Sequence, residues 1–160
     1  MKTTFTSIAF ALTLASAASA QVMSPADYVK TAGASDLFER QSAAIVLKTT
    51  QDTKIKDFAM MMATDHAKST AAVKSAAQKD GVKAAPPALT PAQQELIKEL
   101  QAEKGAARDA TYIAQQKAAH GQALNVQKAY ADEGTSPALK SAAAGIVPVV
   151  QHHIKALMGM

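Results

Sequence analysis

Residues 52–81 read DTKIKDFAMMMATDHAKSTAAVKSAAQKDG. Within them Ile55, Phe58/Ala59, Met62, His66, Ser69/Thr70, Val73 and Ala76/Ala77 recur in steps of three and four, which places the set on one face of an α-helix. Asp52 stands where an N-cap carboxylate accepts the first free backbone N–H groups, and Gly81 stands where a helix stops. The stretch predicts a helix of roughly 28 residues, about 42 Å long at 1.5 Å per residue. A histidine sits midway along its apolar face.

The flanking sequence is punctuated in the same way. Upstream, Ser24-Pro25 pairs an N-cap with a proline at the first helical position, where its missing N–H costs nothing. That helix is predicted to reach about Thr50, with Gly33 and Ala34-Ser35 as a place to bend. Downstream, 84–89 holds Pro86-Pro87 and reads as a crossover loop. Thr90-Pro91 with Gln93 at the third helical position makes a capping box. Gly105 separates a short helix, 91 to about 104, from a long one, about 106 to 132. Gly134 ends the long helix, and Ser136-Pro137 opens a last one that runs to the C-terminus, with a kink predicted at Pro148.

The other long segments carry stripes of their own. One has Ile113, Gln116, His120, Ala123/Leu124, Gln127 and Ala131; another has Leu139, Ala142/Ala143, Ile146, Val149/Val150, His153, Leu157 and Met160. The first helix presents Ala32, Ser35, Ser42/Ala43 and Val46 around Glu39. Four such helices with a long link between the second and third make an all-α four-helix bundle, with the short helix after Pro91 lying in the crossover.

Composition agrees. Alanine, the best helix former, supplies 37 of the 160 residues, and aromatic residues make up only 4%, which favours helices over sheet. The absence of cysteine excludes a disulfide scaffold, a thiolate metal site and a cysteine nucleophile. The scarcity of aromatics removes the stacking platforms that single-stranded nucleic acid needs. The formal charge is +4, but Lys30, Lys54, Lys79, Lys98, Lys117 and Lys140 are spread along the chain. No basic block marks a nucleic-acid or anionic-lipid partner. Protein partners and oligomeric state are not encoded in any motif.

Met1–Ala20, MKTTFTSIAFALTLASAASA, has an early positive charge, a short apolar run from Ile8 to about Ala15, and Ala18-Ser19-Ala20 as a small-residue cleavage site. This is the pattern of a secretory signal peptide, and the run is too short to span a bilayer. The expected organisation is therefore a signal peptide over 1–20 and one bundle domain over 21–160. The mature chain would begin at Gln21 with a charge of +3 once Lys2 is lost, and would be soluble in the periplasm or outside the cell. No segment reaches the ~18 apolar residues of a transmembrane helix.

Three histidines fall at one level. His66, His120 and His153 lie roughly 21, 22 and 25 Å from their helix starts at 1.5 Å per residue, near the midplane of an antiparallel bundle. Glu39 sits near mid-height on the first helix. Imidazole and carboxylate suit Zn²⁺, Cu²⁺ or Fe, and three histidines with one glutamate could close a tetrahedral site. Such a site should lose affinity as pH falls through the histidine range near ~6.5. The alternative is a non-catalytic structural or interaction bundle, whose buried network of Glu, His and Tyr fixes helix register without metal. His152 points about 100° away from His153 and is assigned to solvent. Met60-Met61-Met62, Met158 and Met160 are soft ligands in principle but read as core filling. There is no G-x-S-x-G elbow and no Gly-rich phosphate loop, so the reading tilts away from an enzyme.

The order and spacing of these residues also resemble a family. Val29 to His66 with Glu39, Ile55-Lys56-Asp57-Phe58-Ala59 and Asp65-His66, then Gly105, Asp109, Tyr112-Ile113, His120, and Pro148 five residues before His153, are similar to the exported bacterial family called domain of unknown function 4142. The resemblance covers about 25–158 and implies a ferritin-like bundle with no established activity. Arg108 departs from it, because the family often has an aromatic before Asp109. The resemblance does not extend to di-iron chemistry. Ferritin-like di-iron sites use Glu-x-x-His pairs, and the positions three before the histidines are Ala63, Lys117 and Val150. Asp65 and Asp109 are either partners for imidazole N–H groups or surface charges, Asp65 being read as the latter.

Overall fold

The computed structural model describes residues 22–83 and 85–160; the signal-peptide reading of 1–20 lies outside the described residues. Five helices follow in order: α1 (Pro25–Val46), α2 (Thr53–Lys79), α3 (Pro91–Ala102), α4 (Gly105–Glu133) and α5 (Pro137–Leu157). No strand occurs among the described residues. The fold is a ferritin-like four-helix bundle with a short extra helix in the crossover.

The helix ends follow the local chemistry. Asp52 accepts the N–H groups of Lys54 and Ile55, and Thr90 and Gln93 form a reciprocal capping box. Gly81 takes φ +68° just beyond α2, a left-handed conformation that an L side chain resists. α1 ends at Val46, short of the expected Thr50, because 47–49 tighten into a turn and the Thr50 hydroxyl donates to Asp109 at 3.0 Å. Gly33 is not a bend: α1 is continuous there. A Cβ at Gly33 would come within 3.2 Å of Pro87 Cγ, so the glycine lets the crossover lie against α1. α5 runs as helix through Pro148. Ser136 makes no capping bond to its own helix, and Asp80, at the end of α2, accepts from Ala138 N–H (2.9 Å), Leu139 N–H (3.1 Å) and the Ser136 hydroxyl. The end of one helix thus caps the start of another.

α1 pairs with α2 and α4 with α5 as two hairpins, which meet through α2 on α5 and α1 on α4, while α3 rests on α1 and α4. The core falls into two apolar clusters. One joins Tyr28 and Ala32 of α1, Val73 and Ala77 of α2, Tyr130 of α4, and Leu139 and Ala143 of α5. It therefore brings together the start of α1, the end of α2, the end of α4 and the start of α5, which fixes the order up, down, down, up. Tyr28 and Tyr130 stack in it with centroids 3.8 Å apart, and the Tyr28 hydroxyl donates to Gln127 Oε1 at 2.7 Å. The other cluster holds Ala43, Val46, Phe58, Met62, Leu100, Tyr112 and Leu157. Between the two lies a layer of buried polar side chains: Asp36, Glu39, His66, Gln116, His120 and His153.

Val73 is buried and Lys74, one position round the helix, is exposed. Val73→Asp is expected to destabilise by about 3 kcal/mol or more by burying an unpaired charge, whereas Lys74→Asp stays within about 0.5 kcal/mol of wild type. Urea unfolding of the two variants measures the difference; equal effects would contradict the assigned face.

Candidate metal centre

The polar layer is assembled from all four long helices. α2 contributes His66, α4 contributes His120 and α5 contributes His153, all buried. One ring nitrogen from each lies within 4.8 Å of the others. The ring centroids form a nearly equilateral triangle, 5.6 Å for His66–His120, 5.5 Å for His66–His153 and 5.2 Å for His120–His153.

The second nitrogen of each ring meets an acceptor, and that fixes the protons. His66 Nδ1–H donates to Asp36 Oδ1 at 2.8 Å, and Asp36 Oδ2 also accepts from the Thr70 hydroxyl at 3.0 Å. His120 Nδ1–H donates to the Gln116 carbonyl at 2.9 Å. His153 Nε2–H donates to Asp65 Oδ2 at 3.2 Å. A carbonyl or carboxylate oxygen cannot donate, so in the neutral rings His66 Nε2, His120 Nε2 and His153 Nδ1 carry lone pairs. His120 Nε2 and His153 Nδ1 stand 3.2 Å apart. His66 Nε2 is buried with no hydrogen-bond partner among the described residues.

Electrostatics reinforce this pattern. Burial, aided by the neighbouring His66, lowers His120 to about 3. Burial also lowers His153 to about 4, against the opposing pull of Asp65. Burial would lower His66 as well, but the hydrogen bond to Asp36 and the charges of Glu39, Asp36 and Asp65 outweigh it and hold that ring above its ordinary value. Two rings are thus neutral donors of lone pairs at pH 7, and the third is the one that takes a proton.

Glu39 is buried at the same level, but the structure does not bring it into the three-nitrogen cluster. Its nearest approach is 3.9 Å, from Oε1 to His120 Nδ1, the edge of the ring that faces the Gln116 carbonyl. Burial pushes its carboxyl up to about 7, with the charge on His66 pulling the other way. Glu39 Oε2, Gln116 Oε1 and the Tyr112 hydroxyl have no hydrogen-bond partner among the described residues.

A family model described as domain of unknown function, DUF4142, matches residues 11–160. The chain belongs to this family. Among solved structures, the DUF305 secreted protein of Streptomyces coelicolor is similar, with a TM-score of 0.65 and 17% identity over 86% of this chain and 90% of that one. At that identity the likeness shows the shared helical fold. No curated protein matches the sequence.

Within this DUF4142 chain, several assignments from the sequence change. Asp65 is not simply a surface charge, since it holds His153. Asp36 was missed, although a signal was present: it lies four residues after Ala32 and three before Glu39, on the small-residue stripe of α1. Asp109 is remote from the histidines and accepts from Thr50. At the family's aromatic position, Arg108 is buried and its Nη1 donates to Thr49 Oγ1 at 2.8 Å, tying α4 to the α1–α2 turn. His152 is exposed. Met62 fills the core as expected, whereas Met60 and Met158 are exposed.

Proposed function

We propose that the protein binds one transition-metal ion between His66, His120 and His153. The observation that carries this reading is that one nitrogen from each of three buried imidazoles lies within 4.8 Å of the others, while the opposite nitrogen of each ring is held by an acceptor. Bare lone pairs 3.2 Å apart repel, and an ion turns that repulsion into coordination. An ion at about 2.0–2.1 Å from each nitrogen would set the ring centroids roughly 5.2–5.5 Å apart, close to the 5.2–5.6 Å present. Asp36, the Gln116 carbonyl and Asp65 are the outer partners that orient histidine ligands in metal sites. Zn²⁺, Cu²⁺ and Fe²⁺ all suit imidazole. Glu39 is the carboxyl that answers the ion's charge from behind His120. Three protein ligands leave a position for water or substrate, where a bound ion would act as a Lewis acid.

A second reading has its own support. His66 is the ring that holds a proton most readily, and a proton on Nε2 would donate toward the lone pairs of the other two rings. The layer would then be a structural polar network with a proton where the ion would stand. Titration calorimetry with Zn²⁺, Cu²⁺ and Fe²⁺ on protein purified without a histidine tag separates the two. One equivalent bound, with a rise in Tm, supports the metal site, and no stoichiometric binding to any of the three leaves the proton network in its place.

The signal-like sequence of Met1–Ala20 supports export, with cleavage between Ala20 and Gln21 and residence in the periplasm or outside the cell. Among the described residues no helix is long and apolar enough to cross a membrane.

A further inference from the structure

The polar layer is not enclosed equally on all sides. α3 covers the α1–α4 face, and Pro87 of the crossover lies on α1 at Gly33. Among the described residues the α2–α5 face carries no such cover. Of the side chains that hold or flank the three rings, Asp36, Glu39 and Gln116 are buried. Asp65, on α2 and bonded across to His153 of α5, keeps 24% of its side chain exposed. Its Oδ2 accepts from His153 while its Oδ1 faces Lys68 Nζ at 3.1 Å, and Lys68 is 73% exposed. One carboxylate therefore touches both the buried cluster and the solvent, and its outer oxygen is held only by a loose surface ion pair.

Resting on the metal reading above, we propose that Asp65 is the port of the site: a hydrated divalent cation docks on its carboxylate at the α2–α5 face before passing to the three histidine nitrogens, and Lys68 competes for the same oxygen. Oxygen ligands take hydrated divalent ions readily, while imidazole holds transition metals, so a carboxylate outside and imidazoles inside form a sequence of increasing retention. The anionic port also raises the local cation concentration, an effect that salt screens.

The test is stopped-flow binding of Co²⁺ to the purified protein, read by the visible bands of the ion, beside an equilibrium titration. Asp65→Asn keeps an oxygen that accepts from His153 Nε2–H but removes the charge. It is expected to lower kon about tenfold. Lys68→Ala is expected to raise kon two- to fivefold, and added salt to slow wild type but hardly affect Asp65→Asn. Lys74 is the control. It lines a cavity of about 390 Å³ beneath the crossover, which Asp36 also lines, and Lys74→Ala should leave kon unchanged. An unchanged kon in Asp65→Asn overturns the port. A kon that responds to Lys74 and not to Lys68 also overturns it and assigns the route to that cavity. Failure of the metal reading is distinct, because wild type then shows no stoichiometric Co²⁺ at equilibrium and there is no rate to compare.

Discussion

Replacing His66, His120 or His153 with alanine is expected to weaken ion binding by more than about a hundredfold, and His152→Ala to leave it intact. Loss of an outer partner alone typically costs ten- to a hundredfold in affinity, and each of these three changes removes a ligand atom itself. In wild type, ion at a hundred times its Kd stabilises the fold by about 2.7 kcal/mol, and none of the three variants should show this gain. Without ion the variants should separate again. His66→Ala leaves the buried Asp36 carboxylate with only Thr70 as a partner, so a loss of about 1–3 kcal/mol is expected. His120→Ala removes one of two lone pairs that face each other across 3.2 Å and should cost less than His66→Ala. Calorimetric titration and thermal melts of the four variants, with and without ion, measure both effects. Wild-type ion affinity in all three ligand variants would exclude the site.

Stability of the metal-free protein should peak near pH 6.5–7 and fall on both sides. In the unfolded chain the histidines titrate near ~6.5 and Glu39 near ~4.3. In the fold His120 lies at about 3 and His153 at about 4, so below pH 6.5 the unfolded chain takes up two protons that the fold refuses. Stability then drops as pH falls. Glu39, raised to about 7, acts the other way, because between ~4.3 and 7 the fold holds a proton the unfolded chain has released. The net difference of one proton over pH 4.5–6.5 gives a slope of about 1.4 kcal/mol per pH unit, which fades below about pH 4 as His153 and then His120 take up protons in the fold. Above pH 6.5 the sign reverses. The folded-state pKa of His66 is raised, so its contribution is full below ~6.5 and is lost, along with that of Glu39, as pH rises through the folded values. Ion affinity should also respond less steeply than three ordinary histidines would. Between pH 5 and 7 His120 and His153 are already deprotonated, so only His66 and Glu39 hold protons that the ion can displace, and log Kd should change by at most about two per pH unit. Denaturant midpoints from pH 4 to 9 and Kd values from pH 5.5 to 8 check these slopes; a three-proton slope in Kd would contradict the low values of His120 and His153.

The bundle was readable because its signals are local. Asp52, the Thr90/Gln93 box, Gly81 and the prolines at first helical positions act within one turn of chain, and the stripes record one face of each helix. The level of the three histidines followed from counting residues. The orientation of their partners did not, because it depends on how each helix is rotated against its neighbours. Asp65 lies about 100° from His66, so the stripe turned it outward. On α2 that direction faces α5, and the side chain meets His153. Glu39 was placed by height alone, and the rotation of α1 sends it to the far edge of His120. Asp36 was hidden by its charge, since a stripe drawn from apolar and small residues passes over an aspartate that the fold buries.

His66, Asp36 and Asp65 belong to the first hairpin, His120 and His153 to the second, and no described residue of the crossover between Asp80 and Thr90 belongs to the cluster. Whatever occupies the space among the three nitrogens therefore rivets two halves that are otherwise joined by contact surfaces and one tether. The tether mainly sets how often the halves meet, as an effective concentration. If the chain were severed within 85–89, His66 would stay with Asp36 and His120 with the Gln116 carbonyl, while His153 and its acceptor Asp65 would fall on different fragments. Reassembly would then be an encounter between two helix pairs, completed where their imidazoles meet.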